Sequence, residues 1–199
     1  MKRIVIFFAL CMLFGNTLSK AANPGIDSTF EVIKTYEDTL GYLSYLIVND
    51  SIEEDRFIAV KKFIPTLVKA LKIKNSFDYP FDRLTSISIQ YPADSTFRIF
   101  TWQLYVDEND YRYYGAIQMN SGDLKLIPLF DRSVEVEDIE NQLLTPDKWY
   151  GALYYNVKEF DTSEGKKYLL FGYDGYSFFT KRKVVDVLHF NNGKASFGA

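Results

Sequence analysis

The chain has 199 residues, 47% of them hydrophobic, with 26 acidic against 23 basic side chains and a formal net charge of −3. That is the size of one domain with a good core. An acidic surface repels nucleic acid and anionic lipid, so neither is expected as a partner.

Residues 1–21 read as a signal peptide. Lys2-Arg3 is a basic n-region, residues 4–14 are an apolar run of signal-core length, and Ser19-Lys20-Ala21 puts small residues at the cleavage position. Cleavage is expected after Ala21. The apolar run falls short of the roughly 20 residues that a spanning helix needs, so no membrane span is expected in the mature chain. Cys11, the single cysteine, follows Leu10 inside the apolar run, the wrong context for lipidation. The mature chain would then hold no cysteine, which excludes disulfides, thiolate catalysis and Cys-ligated metals. Losing Lys2, Arg3 and Lys20 leaves 20 of the 23 basic residues against 26 acidic ones, a net charge of −6.

Residues 22–199 read as a single α+β domain. Phe30, Ile33, Leu40, Leu43 and Ile47 recur at three- and four-residue steps and predict a helix over 26–47. Ser28 with Glu31 is its expected capping box. A second helix starts at Ser51, capped with Glu54 and striped by Phe57, Phe63, Leu67 and Leu71; Pro65 should kink or divide it. This helical pair, about 26–74, needs a surface to cover.

The β-rich part, about 84–199, supplies it. Residues 84–91 predict a strand and 97–119 a long hairpin. Phe100, Trp102, Leu104 and Val106 share one apolar face, while Phe97, Ile99, Thr101, Gln103 and Tyr105 form a mixed row. Turning at 107–110 sets Val106 opposite Tyr111, Leu104 opposite Tyr113, Trp102 opposite Gly115 and Phe100 opposite Ile117. Residues 124–130 make a strand that Pro128 assigns to an edge or a bulge. The acidic stretch 131–148 interrupts the pattern, with a short helix expected at 138–144. Strands resume at 149–160, 166–173 and 179–190, and a tail from Lys194 follows the Asn192-Gly193 hairpin turn. The expected fold is α+β: an N-terminal helical hairpin packed on a mostly antiparallel β-meander of about seven or eight strands. The chain stops at Phe197-Gly198-Ala199 without a polar tail, an ending expected of a part of a longer protein.

Little here carries chemistry. His189, the single histidine, could be drafted into a triad with Ser177 and Asp174 or Asp186, but Gly175-Tyr176-Ser177 lacks the second glycine of a nucleophile elbow. No second histidine or cysteine supports a metal site, and no metal or other cofactor is expected. The 107–110 turn gathers oxygen ligands but departs from a calcium loop, with Tyr111 at a ligand position and Gln118 at the closing one. Asp123 with Asp131, or Glu135 with Glu137, could form the carboxylate pair of a hydrolase. Lys181-Arg182-Lys183 reads as charge protecting a strand edge. The aromatics carry the functional colour. Tyr113, Trp149 and Tyr154 are the candidate ligand-binding residues, because an exposed row of rings would stack on a sugar or a protein partner.

The segments RIFTWQLYVDENDYRYYGAIQMNSGDLKLIPL, WYGALYYNV and KKYLLFGYDG resemble uncharacterised exported proteins of the Bacteroidota type, over most of the chain from Arg98 onward. The resemblance implies a signal-bearing cell-envelope protein, periplasmic or extracellular, and no particular activity. The expectation is a non-enzymatic binding or structural module for a glycan or an envelope protein. The alternatives are an envelope hydrolase using a carboxylate pair, and an outer-membrane β-barrel, which suits the aromatic strands but not the helices.

Overall fold

Two helices open the computed structural model, which describes residues 24–198; the expected signal segment and Cys11 lie outside the described residues. α1 is Pro24–Asn49 and α2 is Glu53–Leu71. The apolar stripes are the buried faces: Ile33, Leu40 and Ile47 on α1, Val60, Phe63 and Leu67 on α2. Both expected caps are corrected. α1 begins ahead of Ser28, with Pro24 in the first turn where a missing N–H costs nothing. α2 follows Ile52, which makes no side-chain cap, while Asp50 Oδ1 accepts from the Ile52 N–H at 2.9 Å. α2 also runs through Pro65 undivided.

A 3₁₀ turn at Ser76–Asp78 leads to eight strands: β1 Ser88–Gln90, β2 Phe97–Asp107, β3 Asp110–Met119, β4 Leu126–Phe130, β5 Leu153–Thr162, β6 Gly165–Asp174, β7 Arg182–Asn191 and β8 Lys194–Phe197. They form two antiparallel sheets, β1-β2-β3-β4 and β5-β6-β7-β8. Helices, first sheet and second sheet stack as three layers. One core packs the helices on Phe100, Trp102 and Leu104. The other packs Phe97, Ile99 and Ile117 on Trp149, Tyr154, Leu170 and Leu188. The row of β2 that reads as mixed is therefore a second core face. Pro128 lies on edge strand β4, where its missing N–H breaks no ladder. Asn192 and Gly193 turn at φ 51° and 76°, the two positive values that a type I′ hairpin requires. Residues 138–144 are not helical, because Leu144 is held in an antiparallel bridge to Phe197 with N···O distances of 2.7 and 2.8 Å.

The hairpin register differs by one residue from the expected one. Trp102 pairs with Tyr114, Leu104 with Arg112 and Phe100 with Ala116, after a bulge between Tyr105 and Asp107. Arg56 of α2 accounts for the bulge. Its buried guanidinium donates to the Tyr105 carbonyl at 2.6 Å, the Val106 carbonyl at 3.0 Å and the Asp50 carbonyl at 2.7 Å. Two successive carbonyls turn to one cation only where the strand bulges. A slip would normally send the apolar set to water, but here both faces of β2 and β3 are covered.

Arg98, fully buried, joins the helix-to-sheet connection to β2 and β3. It donates to the Ser76 carbonyl (2.6 Å), the Tyr79 carbonyl (2.7 Å), the Tyr91 hydroxyl (2.8 Å) and Gln118 Oε1 (2.8 Å). Arg98→Ala strands these acceptors and opens a cavity, with an expected loss of about 3–5 kcal/mol in urea unfolding. Arg98→Met, which keeps the volume, should lose less. An alanine variant as stable as the parent would sink this account.

Candidate functional site

The three rings singled out from the sequence sit inside the structure. Trp149 and Tyr154 are both 0% exposed and Tyr113 is 4% exposed, so none of them offers a face to solvent. They are held by hydrogen bonds instead. Trp149 Nε1 donates to the Tyr154 hydroxyl at 2.8 Å, which donates to Asp186 Oδ2 at 2.8 Å. The Tyr154 N–H donates to Thr101 Oγ1 at 3.0 Å, tying the second sheet to the first. Burial pushes the Tyr154 phenol well above its ordinary pKa, so it stays a proton donor. Gly172 opposite leaves the ring its room, since a Cβ there would lie 3.1 Å from it.

Tyr113 belongs to a second cluster, where the start of β3 meets the end of β6. Asp174 Oδ1 accepts from the Tyr113 hydroxyl at 3.1 Å and from the Tyr176 N–H at 2.9 Å. Asp174 Oδ2 accepts from the Tyr150 hydroxyl at 3.0 Å, and the Tyr150 oxygen in turn accepts from Arg182 Nη1 at 3.0 Å. Antiparallel pairing of the consecutive strands β6 and β7 sets Asp174 directly opposite Arg182, and Tyr113 of β3 joins them from the other sheet. The Gly175 N–H donates to the Tyr113 oxygen at 2.6 Å. Burial raises the Tyr113 and Tyr150 phenols, so neither is a base at neutral pH.

These groups border two neighbouring clefts that share Ile139, Tyr150 and Arg182. One is about 760 Å³, between β7 and residues 139–144; the other is about 460 Å³ and reaches Tyr113, Asp174 and Tyr176. Val185 lines the first cleft and Val134 the second, and Phe178 and Phe179 lie on the turn between β6 and β7. Phe178 is 59% and Phe179 92% exposed, Val134 is 84% and Val185 61%. The phenylalanines occupy the middle of a turn closed by the Ser177 N–H on the Thr180 carbonyl (3.1 Å) and the Thr180 N–H on Ser177 Oγ (3.2 Å). Lys181, Arg182 and Lys183 brace the base of that turn against tyrosines. Their cationic groups lie 5.1, 3.2 and 4.6 Å from the rings of Tyr111, Tyr176 and Tyr155. Tyr150, Phe178 and Phe179 escaped the sequence reading as site residues. The available signal was two bulky apolar residues between Ser177 and Thr180, where turn chemistry is the rule.

The other candidates separate. His189 shares a hydrogen bond with Ser196 Oγ, 3.1 Å from Nε2, seven β7 residues from Arg182 and hence roughly 23 Å from the Ser177 end. No triad forms. Asp131 is tied to the Tyr113 N–H at 2.9 Å and the Ser133 N–H at 3.0 Å, while Asp123 lies in the exposed turn after β3. Glu135 pairs with Arg132 at 3.2 Å. In the 107–110 turn Asp107 Oδ1 accepts from the Asn109 N–H at 2.8 Å. Among the described residues no group of three His, Cys, Asp or Glu could hold a metal ion. Comparison with protein families, with curated proteins and with solved structures returns no match.

Two outcomes test this geometry. Gly151 has φ +82° and a Cβ there would meet Asp131 Oδ1 at 2.6 Å, whereas Gly165, at φ +114°, has open space. Gly151→Ala should therefore lower stability by about 1–3 kcal/mol more than Gly165→Ala in thermal unfolding. Burial raises the carboxyls of Asp131 and Asp186 above the ordinary 3.8. A raised folded pKa gives stability that is full below the unfolded value and is lost as pH rises through the folded one. Asp186→Asn should thus flatten the fall in stability from about pH 4 upward relative to the parent. An unchanged slope in paired melts would remove Asp186 from this role.

Proposed function

We propose that the chain is an exported cell-envelope protein that works as a non-enzymatic binding module. The observation that carries this reading is the set of exposed apolar side chains at this end of the molecule: Val134 and Val185 in the walls of the two clefts, and Phe178 and Phe179 on the turn between β6 and β7. Leaving such side chains in water forfeits roughly 1.5–3 kcal/mol each, which a partner recovers on binding. The polar groups inside, Asp174, Tyr113, Tyr150 and Arg182, already satisfy one another and support orientation rather than reaction. A protein partner suits the surface better than a glycan. The rings expected to stack on sugar, Tyr113, Trp149 and Tyr154, are inside, and the most exposed ring among the described residues is Phe179, next to Phe178 on the turn.

The partner-binding half is tested by capture from an envelope extract on the immobilised full chain. Phe178→Ser with Phe179→Ser should lower capture by about tenfold or more while leaving the melting temperature unchanged. Equal capture by parent and double variant rejects this surface. Cell fractionation tests the export half, with the chain expected outside the cytoplasm.

A further inference from the structure

β8 covers only part of β7. The pairs run from Leu188–Phe197 to Asn191–Lys194, so residues 182–187 of β7 have β6 on one side and, among the described residues, no strand on the other. On its far side β8 pairs with Leu144. β7, β8 and residue 144 therefore lie in sequence across the sheet, with residue 144 two strand spacings from β7, about 9.5 Å. Beyond Gly198, whose N–H donates to the Val187 carbonyl at 3.0 Å, no strand of the described residues lies beside β7 on this side. The gap is the 760 Å³ cleft, with Arg182 to Val187 on one wall and Ile139, Gln142 and Leu144 on the other.

The backbone along this gap is the decisive feature. Successive strand residues point their N–H and C=O groups to alternate sides. The Val187 carbonyl points toward β8, so the backbone groups of Lys183 and Val185 point the same way, into the gap. They meet no hydrogen-bond partner there among the described residues. Neither a sugar nor a small ligand matches donors and acceptors at two-residue spacing; another strand does. Ile139, Leu144 and Tyr150 give the gap an apolar lining for alternate side chains of such a strand.

We propose that this gap takes an extended polypeptide segment of a partner protein, about six residues and 20 Å long, as an added strand beside β7. This rests on the reading of the chain as a binding module and names the form of what it binds.

The test selects random decapeptides displayed on phage against the full chain. Selected peptides should alternate in apolarity and slow amide exchange of Lys183 and Val185 by tenfold or more. Val185→Pro deletes one gap-facing donor at a position where the ladder to β6 does not use it, and should weaken binding at least tenfold. The same peptides N-methylated at every second amide should fail on the parent chain, which keeps the test valid even if the proline variant misfolds. Peptides that bind Val185→Pro and N-methylated forms equally well overturn the proposal, as does a selection with no enrichment. Self-association that Val185→Pro abolishes also overturns it, by assigning the gap to a second copy. If capture through Phe178 and Phe179 holds while these peptide results fail, strand addition falls and the binding reading stands.

Discussion

A guanidinium buried among neutral groups holds the middle of this protein together. Arg98 meets two carbonyls of the helix-to-sheet connection, a tyrosine hydroxyl and the side-chain oxygen of Gln118. The faces of Phe77, Phe81, Tyr91 and Phe100 lie 4.8–5.8 Å from its charge. A bare charge in a core is prohibitive, and burial pulls the Arg98 pKa down. A delocalised, weakly hydrated guanidinium with its donors satisfied and ring faces around it tolerates the site, where an ammonium would not. That single side chain fixes where the chain leaving α2 meets β2, and so which face of β2 the helices cover.

Everything at the cleft follows from the other face. Because the helices take Phe100, Trp102 and Leu104, the alternate row of β2 must be covered by something else, and the second sheet does it. Tyr154 and Trp149 fill that interface and connect Thr101 of the first sheet to Asp186 of the second. At the end of the sandwich the coverage stops. There the irregular 131–148 stretch and the 175–181 turn stand apart over Tyr150, Asp174 and Arg182. The clefts are thus where two layers cease to match, with a pre-satisfied polar floor and apolar rims.

This arrangement divides labour between rigid and exposed parts. Asp174, fixed by two phenols and a backbone N–H, holds the root of the phenylalanine turn, and Lys181 reaches the Gly175 and Ser177 carbonyls at 3.2 and 2.7 Å to close it. Tyr176 sits at φ +43°, rare for so bulky a residue, and is kept there by the same carboxylate and by Arg182 over its ring. Local strain of this kind persists only where the surroundings impose it. Here it points two apolar rings outward on a braced support, which favours recognition with little ordering cost.

The sequence alone determined what depends on neighbours along the chain. Helical stripes, the edge position of Pro128 and the Asn192-Gly193 turn are local facts of periodicity and backbone freedom, and they place both helices and the eight strands close to where they lie. What depends on distant neighbours was settled only by tertiary structure. The register of the long hairpin turned on Arg56, about 50 residues upstream of the carbonyls it collects. Residues 138–144 lost their helix to a bridge with Phe197. Tyr113, Trp149 and Tyr154 were legible as aromatic but not as inward-facing, because a strand shows which residues share a face and not whether another sheet will cover it. The cleft arose the same way, since the distance between β7 and residues 139–144 is decided by how two layers pack, a quantity no single segment encodes.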